Sequence, residues 1–158
     1  MDESQTISSA PLPPPFAAVP PMQLEVADKG IRAAGYLIDV IPACIFGLFG
    51  FIPIVGAMIA GFLLLPYWLL RDITGRSLGK MMLGMEVVRA DGSPAPVSAR
   101  ILRNLTIAVG PGLLIIPLLG YVLAPPVGGL LILTEIVMLL TQGNRLGDRL
   151  AGTTVIKR

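Results

Sequence analysis

Residues 31–70 read IRAAGYLIDVIPACIFGLFGFIPIVGAMIAGFLLLPYWLL, and the only charged residues in this apolar stretch are Arg32 and Asp39. An ionised carboxylate near the middle of a membrane helix costs about 2.5–3.5 kcal/mol on insertion scales, so Asp39 needs a partner, a proton or a functional role. The two residues are seven positions apart, close to two helical turns, so they share one helix face. The stretch predicts a membrane helix that carries ionisable side chains near one membrane surface.

The composition of the whole chain is that of a membrane protein. Of its 158 residues, 54% are hydrophobic and only 14% are charged, and no charge occurs between Asp39 and Arg71 or between Arg103 and Glu135. The chain has a single cysteine, Cys44, and no histidine, so we expect no disulfide, metal site or cofactor. Without a nucleophile motif we do not expect an enzyme, and the basic residues suit lipid headgroups better than nucleic acid.

Apolar runs and helix breakers predict an all-α membrane protein with four transmembrane helices, at about 32–49, 54–70, 101–119 and 127–141. The two apolar turns, at 50–53 and 120–126, carry no charge, whereas residues 71–103 and 145–158 together hold ten lysines and arginines. The positive-inside rule therefore predicts a multi-pass protein of the cell membrane with both termini cytoplasmic. Residues 1–28 are rich in proline and predict a disordered cytoplasmic tail that lacks the pattern of a cleaved signal peptide.

An internal repeat is visible when residue n is compared with residue n+68. The matching residues are Gly75, Leu78, Gly79, Gly84 and Val87 with Gly143, Leu146, Gly147, Gly152 and Val155. The repeat predicts two duplicated helical hairpins, at about 32–89 and 100–157, in the same orientation across the membrane. Chance similarity between two glycine-rich interfacial loops is the alternative.

Two short cytoplasmic motifs follow the helical hairpins. Leu78, Met81, Met82 and Met85 have the spacing of a short amphipathic helix lying on the inner membrane surface. Residues 86–89 and 154–157 are rich in β-branched side chains, and we expect them to pair with each other below the membrane.

Three segments of the chain resemble the RDD family, small membrane proteins that are called after one arginine and two aspartates. They are IRAAGYLID at 31–39, GRSLGKMMLG at 75–84 and LGDRLAGT at 146–153, and the resemblance covers about residues 29–158. It implies that the family's arginine is Arg32 and that its two aspartates are Asp39 and Asp148. Many members have histidine where this chain has Gly147. Cation/proton antiport has been proposed within the family, which has no settled activity.

Helix geometry gives this resemblance a chemical hypothesis. Asp39 and Glu135 each lie about 10 Å from the cytoplasmic end of their predicted helices, at 1.5 Å per residue. If those helices are neighbours, the two carboxylates share a proton or hold a cation such as Na⁺. Nearby neutral oxygens are expected from Asn104, Thr106 and Thr134.

A structural role remains the alternative to transport. In it Arg32 pairs with Asp39, and Asp148 pairs with Arg145 or Arg149 at the surface. The protein is then a non-transporting scaffold that binds a second copy, as a dimer, or another membrane protein. Small residues such as Gly47, Gly50 and those from 56 to 61 would permit close helix contacts.

Overall fold

The computed structural model describes residues 25–158, and this part of the chain is mostly helical. Its helices are α1 (Lys29–Gly47), α2 (Val55–Leu70), α3 (Leu78–Met82), α4 (Val97–Leu114), α5 (Leu119–Gln142) and α6 (Leu146–Leu150), and its strands are β1 (Met85–Arg89) and β2 (Thr153–Lys157). A 3₁₀ turn at Leu48–Phe51 extends α1. The predicted tail at 1–28 lies largely outside the described residues.

Two helical segments are long and apolar enough to cross a membrane, Lys29–Phe51 and Leu119–Gln142, and α2 is a shorter apolar helix. Both long segments bury little of their surface inside the protein, with 17% and 22% of the residues buried in their most apolar windows. Helices whose side chains are apolar all round and remain largely uncovered are suited to lipid rather than to water. The fold is therefore that of a helical membrane protein.

The last long helix differs from the sequence prediction at its beginning. The sequence predicted a turn at 120–126 and a short helix from 127, whereas α5 begins at Leu119 and contains both Pro125 and Pro126. The chain reverses earlier, directly after Pro117, where Leu118 has φ = 58°. Proline lacks an N–H but continues an apolar helix when neighbouring groups satisfy the freed carbonyls. The helix is thus 24 residues long, enough for a full span.

The predicted pairing of the two short β-prone segments is confirmed. β1 and β2 form an antiparallel ladder in which Val87 lies opposite Val155, so the fold is all-α except for this small sheet. The amphipathic segment is only partly as predicted. Met81 and Met82 are exposed on α3, but the helix ends there, and Met85 is 1% exposed within β1.

Elements of the two halves correspond at a constant spacing. α1 and α4, α3 and α6, and β1 and β2 each begin 68 residues apart. The isolated bridge between Val26 and Ile156 has the same spacing to the bridge between Pro94 and Val88. Gly84 and Gly152, with φ of 63° and 61°, leave the short helices in the left-handed conformation that glycine adopts without strain.

The long helices pack in the order α1, α2, α4, α5. Glycines permit the closest contacts: a Cβ on Gly61 would lie 2.8 Å from the carbonyl oxygen of Pro111, and Gly110 faces Gly128. Gly47 and Gly50 face open space. The described parts of α1 and α5 make few contacts, and an apolar groove of about 260 Å³ lies between them. We call this groove the α1/α5 seam.

Candidate functional site: a buried ionic cluster

One end of the helix bundle holds a cluster of buried charges. α1 and α4 begin at this end, and α2 and α5 finish there. The cluster contains five cationic side chains and four carboxylates, namely Arg32, Arg71, Lys80, Arg103 and Arg145 with Asp39, Asp72, Glu135 and Asp148. Every one of these side chains is less than 10% exposed. We refer to these nine residues as the ionic cluster.

Asp148 is the most heavily contacted carboxylate of the cluster. Its Oδ2 accepts a hydrogen bond from Arg32 at 2.6 Å, and its Oδ1 lies 2.6 Å from Nη2 of Arg103 and 3.5 Å from Nη2 of Arg145. The sequence-based expectation that Asp148 lies at the surface is wrong, because Asp148 is 1% exposed. Arg149, its other expected partner, is exposed.

Several cations overcome the effect of burial on Asp148. Burial raises the pKa of its carboxyl group, but Arg103, Arg145 and Arg32 lower it further, to about 2. Asp148 and Glu135 in turn raise the pKa of Arg145 above its ordinary value, although burial opposes them. Both groups therefore stay ionised at neutral pH.

Asp39 pairs with different residues from those the sequence suggested. Its Oδ1 accepts a hydrogen bond from the backbone N–H of Gly79 at 2.8 Å, and its Oδ2 lies 3.5 Å from Nη1 of Arg71. The hydroxyl of Tyr67 donates to the Asp39 carbonyl at 2.6 Å. The expected pairing of Asp39 with Arg32 is wrong, since Arg32 turns to Asp148 and to the carbonyl of Gly143.

Glu135 is 4% exposed near the end of α5. Its Oε1 accepts hydrogen bonds from the hydroxyl of Thr106 and from the backbone N–H of Gly147, the latter at 3.0 Å. Its Oε2 lies 3.9 Å from Nε of Arg145. Within residues 25–158 no hydrogen bond or ion pair joins Glu135 to Asp39.

Of the three neutral oxygens expected beside the two carboxylates, only Thr106 contacts one of them. Asn104 binds Asp72 instead, with 3.2 Å between Nδ2 and Oδ2. The hydroxyl of Thr134 donates to the carbonyl of Leu130 in its own helix and is exposed.

Asp72 is a site residue that the sequence analysis missed. It is fully buried and accepts a hydrogen bond from Nζ of Lys80 at 2.6 Å. Arg103 approaches its other oxygen at 3.8 Å. Burial raises the pKa of Asp72, but Lys80, Arg103 and Arg71 prevail and hold it far below its usual range. The adjacent Arg71 and Asp72 looked like ordinary charges at a helix end, and their separation by a helical hairpin from Arg103 hid this contact.

Lys80 was interpreted as a surface cation facing lipid headgroups, and this is wrong. The residue is 7% exposed, and its ammonium group also donates to the hydroxyl of Ser77 at 3.1 Å. Burial lowers the pKa of Lys80 to about 7, although the charge of Asp72 opposes this shift. Lys80 occupies the position 68 residues before Asp148, so corresponding places in the two short helices carry opposite charges.

The short helices seat against the long ones through glycine. A Cβ on Gly79 would collide with the backbone carbonyl of Gly35 in α1, and one on Gly147 would collide with that of Arg103 in α4. Gly35 and Arg103 are again 68 residues apart. Because each glycine also donates its N–H to a carboxylate, the absence of a side chain at these positions is what brings Asp39 and Glu135 into the cluster.

The cluster encloses a cavity of about 20 Å³, lined by all five cations but only by Asp39 among the carboxylates. The side of the cluster next to α2 is aromatic: the guanidinium carbon of Arg71 lies 4.6 Å from the ring centre of Trp68 and 5.2 Å from that of Tyr36. Within the described residues no group of three potential metal ligands is found. The arrangement is thus an interlocked set of ion pairs with more cations than carboxylates.

Comparison with known proteins identifies the family of the chain. No curated protein and no solved structure matches it significantly. The model of the RDD family matches residues 26–152, which includes α1 to α6 and every member of the ionic cluster. The chain therefore belongs to the RDD family.

Proposed function

We propose that this RDD-family protein spans the cell membrane four times, with both termini in the cytoplasm. Beside the two long apolar segments, α2 is apolar over its 16 residues, and α4 is mostly apolar beyond Asn104. Four spans bring the ionic cluster, the sheet and the basic segments to one side. The excess of lysine and arginine there supports a cytoplasmic location.

The four spans are proposed to be two duplicated hairpins. The constant 68-residue spacing of the helices, strands, bridges and left-handed glycines supports this origin. Cysteine labelling tests the topology: with Cys44→Ser as background, a cysteine replacing Ser93 should react with a membrane-impermeant maleimide only from the cytoplasmic side. Labelling of Ser93→Cys from outside intact cells would contradict the proposal.

The function that the geometry supports best is assembly within the membrane. The observation that carries it is the α1/α5 seam. At the 68-residue spacing α4 corresponds to α1 and α5 overlaps the counterpart of α2, so the close contact of α2 with α4 has its counterpart in α5 with α1. The first contact is closed and the second is an open apolar groove. We therefore assign the seam to a further helix, and a second copy of this chain is the simplest source of one.

The chain offers its own probe for this assembly. Cys44 is exposed on α1 seven residues after Leu37, which lines the seam, so both lie on nearly the same helix face. Oxidation in native membranes should therefore join two protomers through Cys44. A cysteine at Ile59, exposed on α2 in a Cys44→Ser background, is the matched control and should give little dimer. Failure of Cys44 to cross-link, with the protein monomeric in mild detergent, would refute self-assembly through the seam.

Cation/proton exchange is the second candidate, and one observation favours it. The seam leads from the lipid region to Glu135 and Arg145 at its polar end, which places a buried carboxylate at the end of an open groove. The pairing of each carboxylate with an arginine and the surplus of buried cations favour the assembly role instead. An exchanger requires carboxylates that release their partners to bind Na⁺ or H⁺.

Proteoliposomes distinguish these two candidates. A pH gradient is imposed, Na⁺, Li⁺ or K⁺ is added, and proton movement is followed for the parent protein, Asp39→Asn and Glu135→Gln. The assembly role predicts no cation-dependent proton movement from folded protein. Proton movement that is lost in Asp39→Asn would replace this role with antiport and would assign the site to α1.

A further inference from the structure

The ionic cluster is not neutral. Within residues 25–158 it brings five cationic side chains together with four carboxylates, and all nine are buried. An uncompensated charge that is removed from water destabilises a fold strongly unless a partner or a counter-ion neutralises it. The cluster therefore needs one negative charge more than its own side chains supply.

The excess positive charge is concentrated around the enclosed cavity. The side chains of Arg32, Arg71, Lys80, Arg103 and Arg145 all line it, whereas three of the four carboxylates bind on the far side of these cations. Its volume of about 20 Å³ holds one water-sized or halide-sized species and excludes phosphate or a lipid headgroup. A second cation is disfavoured there by the five positive charges in its wall.

Hydrogen-bond donors at the cavity remain without an acceptor. Nη1 of Arg103 and Nε of Arg71 are buried and have no hydrogen-bond partner within the described part of the chain. Arg103 is 0% exposed, so water at the protein surface does not reach it. Buried guanidinium N–H groups nearly always have an acceptor, and these two belong to residues that line the same small space.

We propose that the cavity binds one small monovalent anion, chloride or another halide, which neutralises the excess charge and accepts the free N–H groups of Arg71 and Arg103. The site locks the cytoplasmic ends of the long helices together and is separate from the α1/α5 seam. It depends neither on transport nor on self-assembly.

Halide binding is measured on the purified full-length protein in detergent at pH 6, with sodium gluconate replaced stepwise by sodium chloride at constant ionic strength. We expect a saturable rise in unfolding temperature with chloride, and none with equimolar phosphate. Trp68, the only tryptophan, lies against Arg71 and supplies a direct signal. Bromide should quench its fluorescence saturably, and chloride should reverse this quenching by competition.

Two substitutions change the excess charge in opposite directions. Lys80→Met equalises the charges and should weaken halide binding by about tenfold or more, whereas Glu135→Gln raises the excess and should strengthen it by a similar factor. Arg149→Met is the matched control, because it removes an exposed positive charge one residue from Asp148 and should leave halide affinity unchanged. The two variants check each other, so one that fails to fold still leaves a decisive measurement.

Two results would overturn the proposal. One is a parent protein that responds equally to chloride and gluconate and shows no saturable bromide quenching. The other is the same halide affinity in Glu135→Gln, Arg149→Met and the parent, which would show that any anion effect is a general one at the protein surface.

Discussion

Asp148→Asn should destabilise the protein more than any change of a surface carboxylate. One carboxylate faces three guanidinium groups, with Arg32 and Arg103 at 2.6 Å and Arg145 at 3.5 Å. Asparagine keeps the shape and one acceptor oxygen but removes the negative charge, so the excess positive charge of the cluster doubles. Breaking a buried ion pair from one side costs about 3–5 kcal/mol. For a chain of this size that corresponds to about 6–20 °C in unfolding temperature.

The assay is thermal unfolding of the purified protein in detergent, followed by Trp68 fluorescence and by the loss of monodisperse protein on size exclusion. Glu86→Gln is the matched control, because Glu86 also contacts two arginines, Arg76 at 2.9 Å and Arg158. Those arginine side chains are 37% and 65% exposed, so this change should cost about 1 kcal/mol or less. Equal losses of unfolding temperature in the two variants would refute the argument that burial makes Asp148 critical.

Three further predictions follow from the same geometry. Gly79→Ala places a Cβ against the backbone of α1 and should cost about 2–4 kcal/mol, whereas Gly129→Ala meets no atom within 4 Å and should be neutral or stabilising; unfolding temperatures test both, and an equally stable Gly79→Ala would contradict the close seating of α3. Lys80 has a pKa of about 7 in the folded protein against 10.5 as its ordinary value, so the unfolded chain binds the extra proton between these values and stability should rise with pH across this window. In gluconate buffer this rise should be absent from Lys80→Met, and the same slope in both proteins would assign it to another group. Arg32→Lys loses the fork that reaches Asp148 and Gly143 together and should lower the unfolding temperature despite the conserved charge; an unchanged value would show that charge alone suffices.

The sequence predicted much of this architecture because the relevant signals are local or periodic. Apolar runs located the four long helices within a few residues, and β-branched residues indicated the two strands and their pairing. The helix at the end of the chain was misjudged because Pro125 and Pro126 resemble a turn. In an apolar helix two adjacent prolines are tolerated when the chain has already reversed, and the reversal at Leu118 gave no strong sequence signal.

The partners within the ionic cluster were less accessible to sequence reasoning. Arg32 and Asp39 share a helix face, which suggested a pair, but a guanidinium reaches across to another helix as easily as along its own. The actual partner of Arg32, Asp148, is 116 residues away. Asp72 and Lys80 were read as parts of a basic loop, since nothing local distinguishes a buried lysine from one at the membrane surface.

The long separation of Arg32 from Asp148 has a consequence for how the protein is made. At about 5–20 residues per second, the 116 residues between them take about 6–23 s to synthesise. During that time Arg32 and Arg103 must be neutralised by headgroups, water or the insertion machinery, because their carboxylate has not left the ribosome. Chains that end before α6 would keep these cations unmatched at the membrane surface. The last residues of the protein therefore act as a completion mark, and quality-control proteases would find truncated chains by its absence.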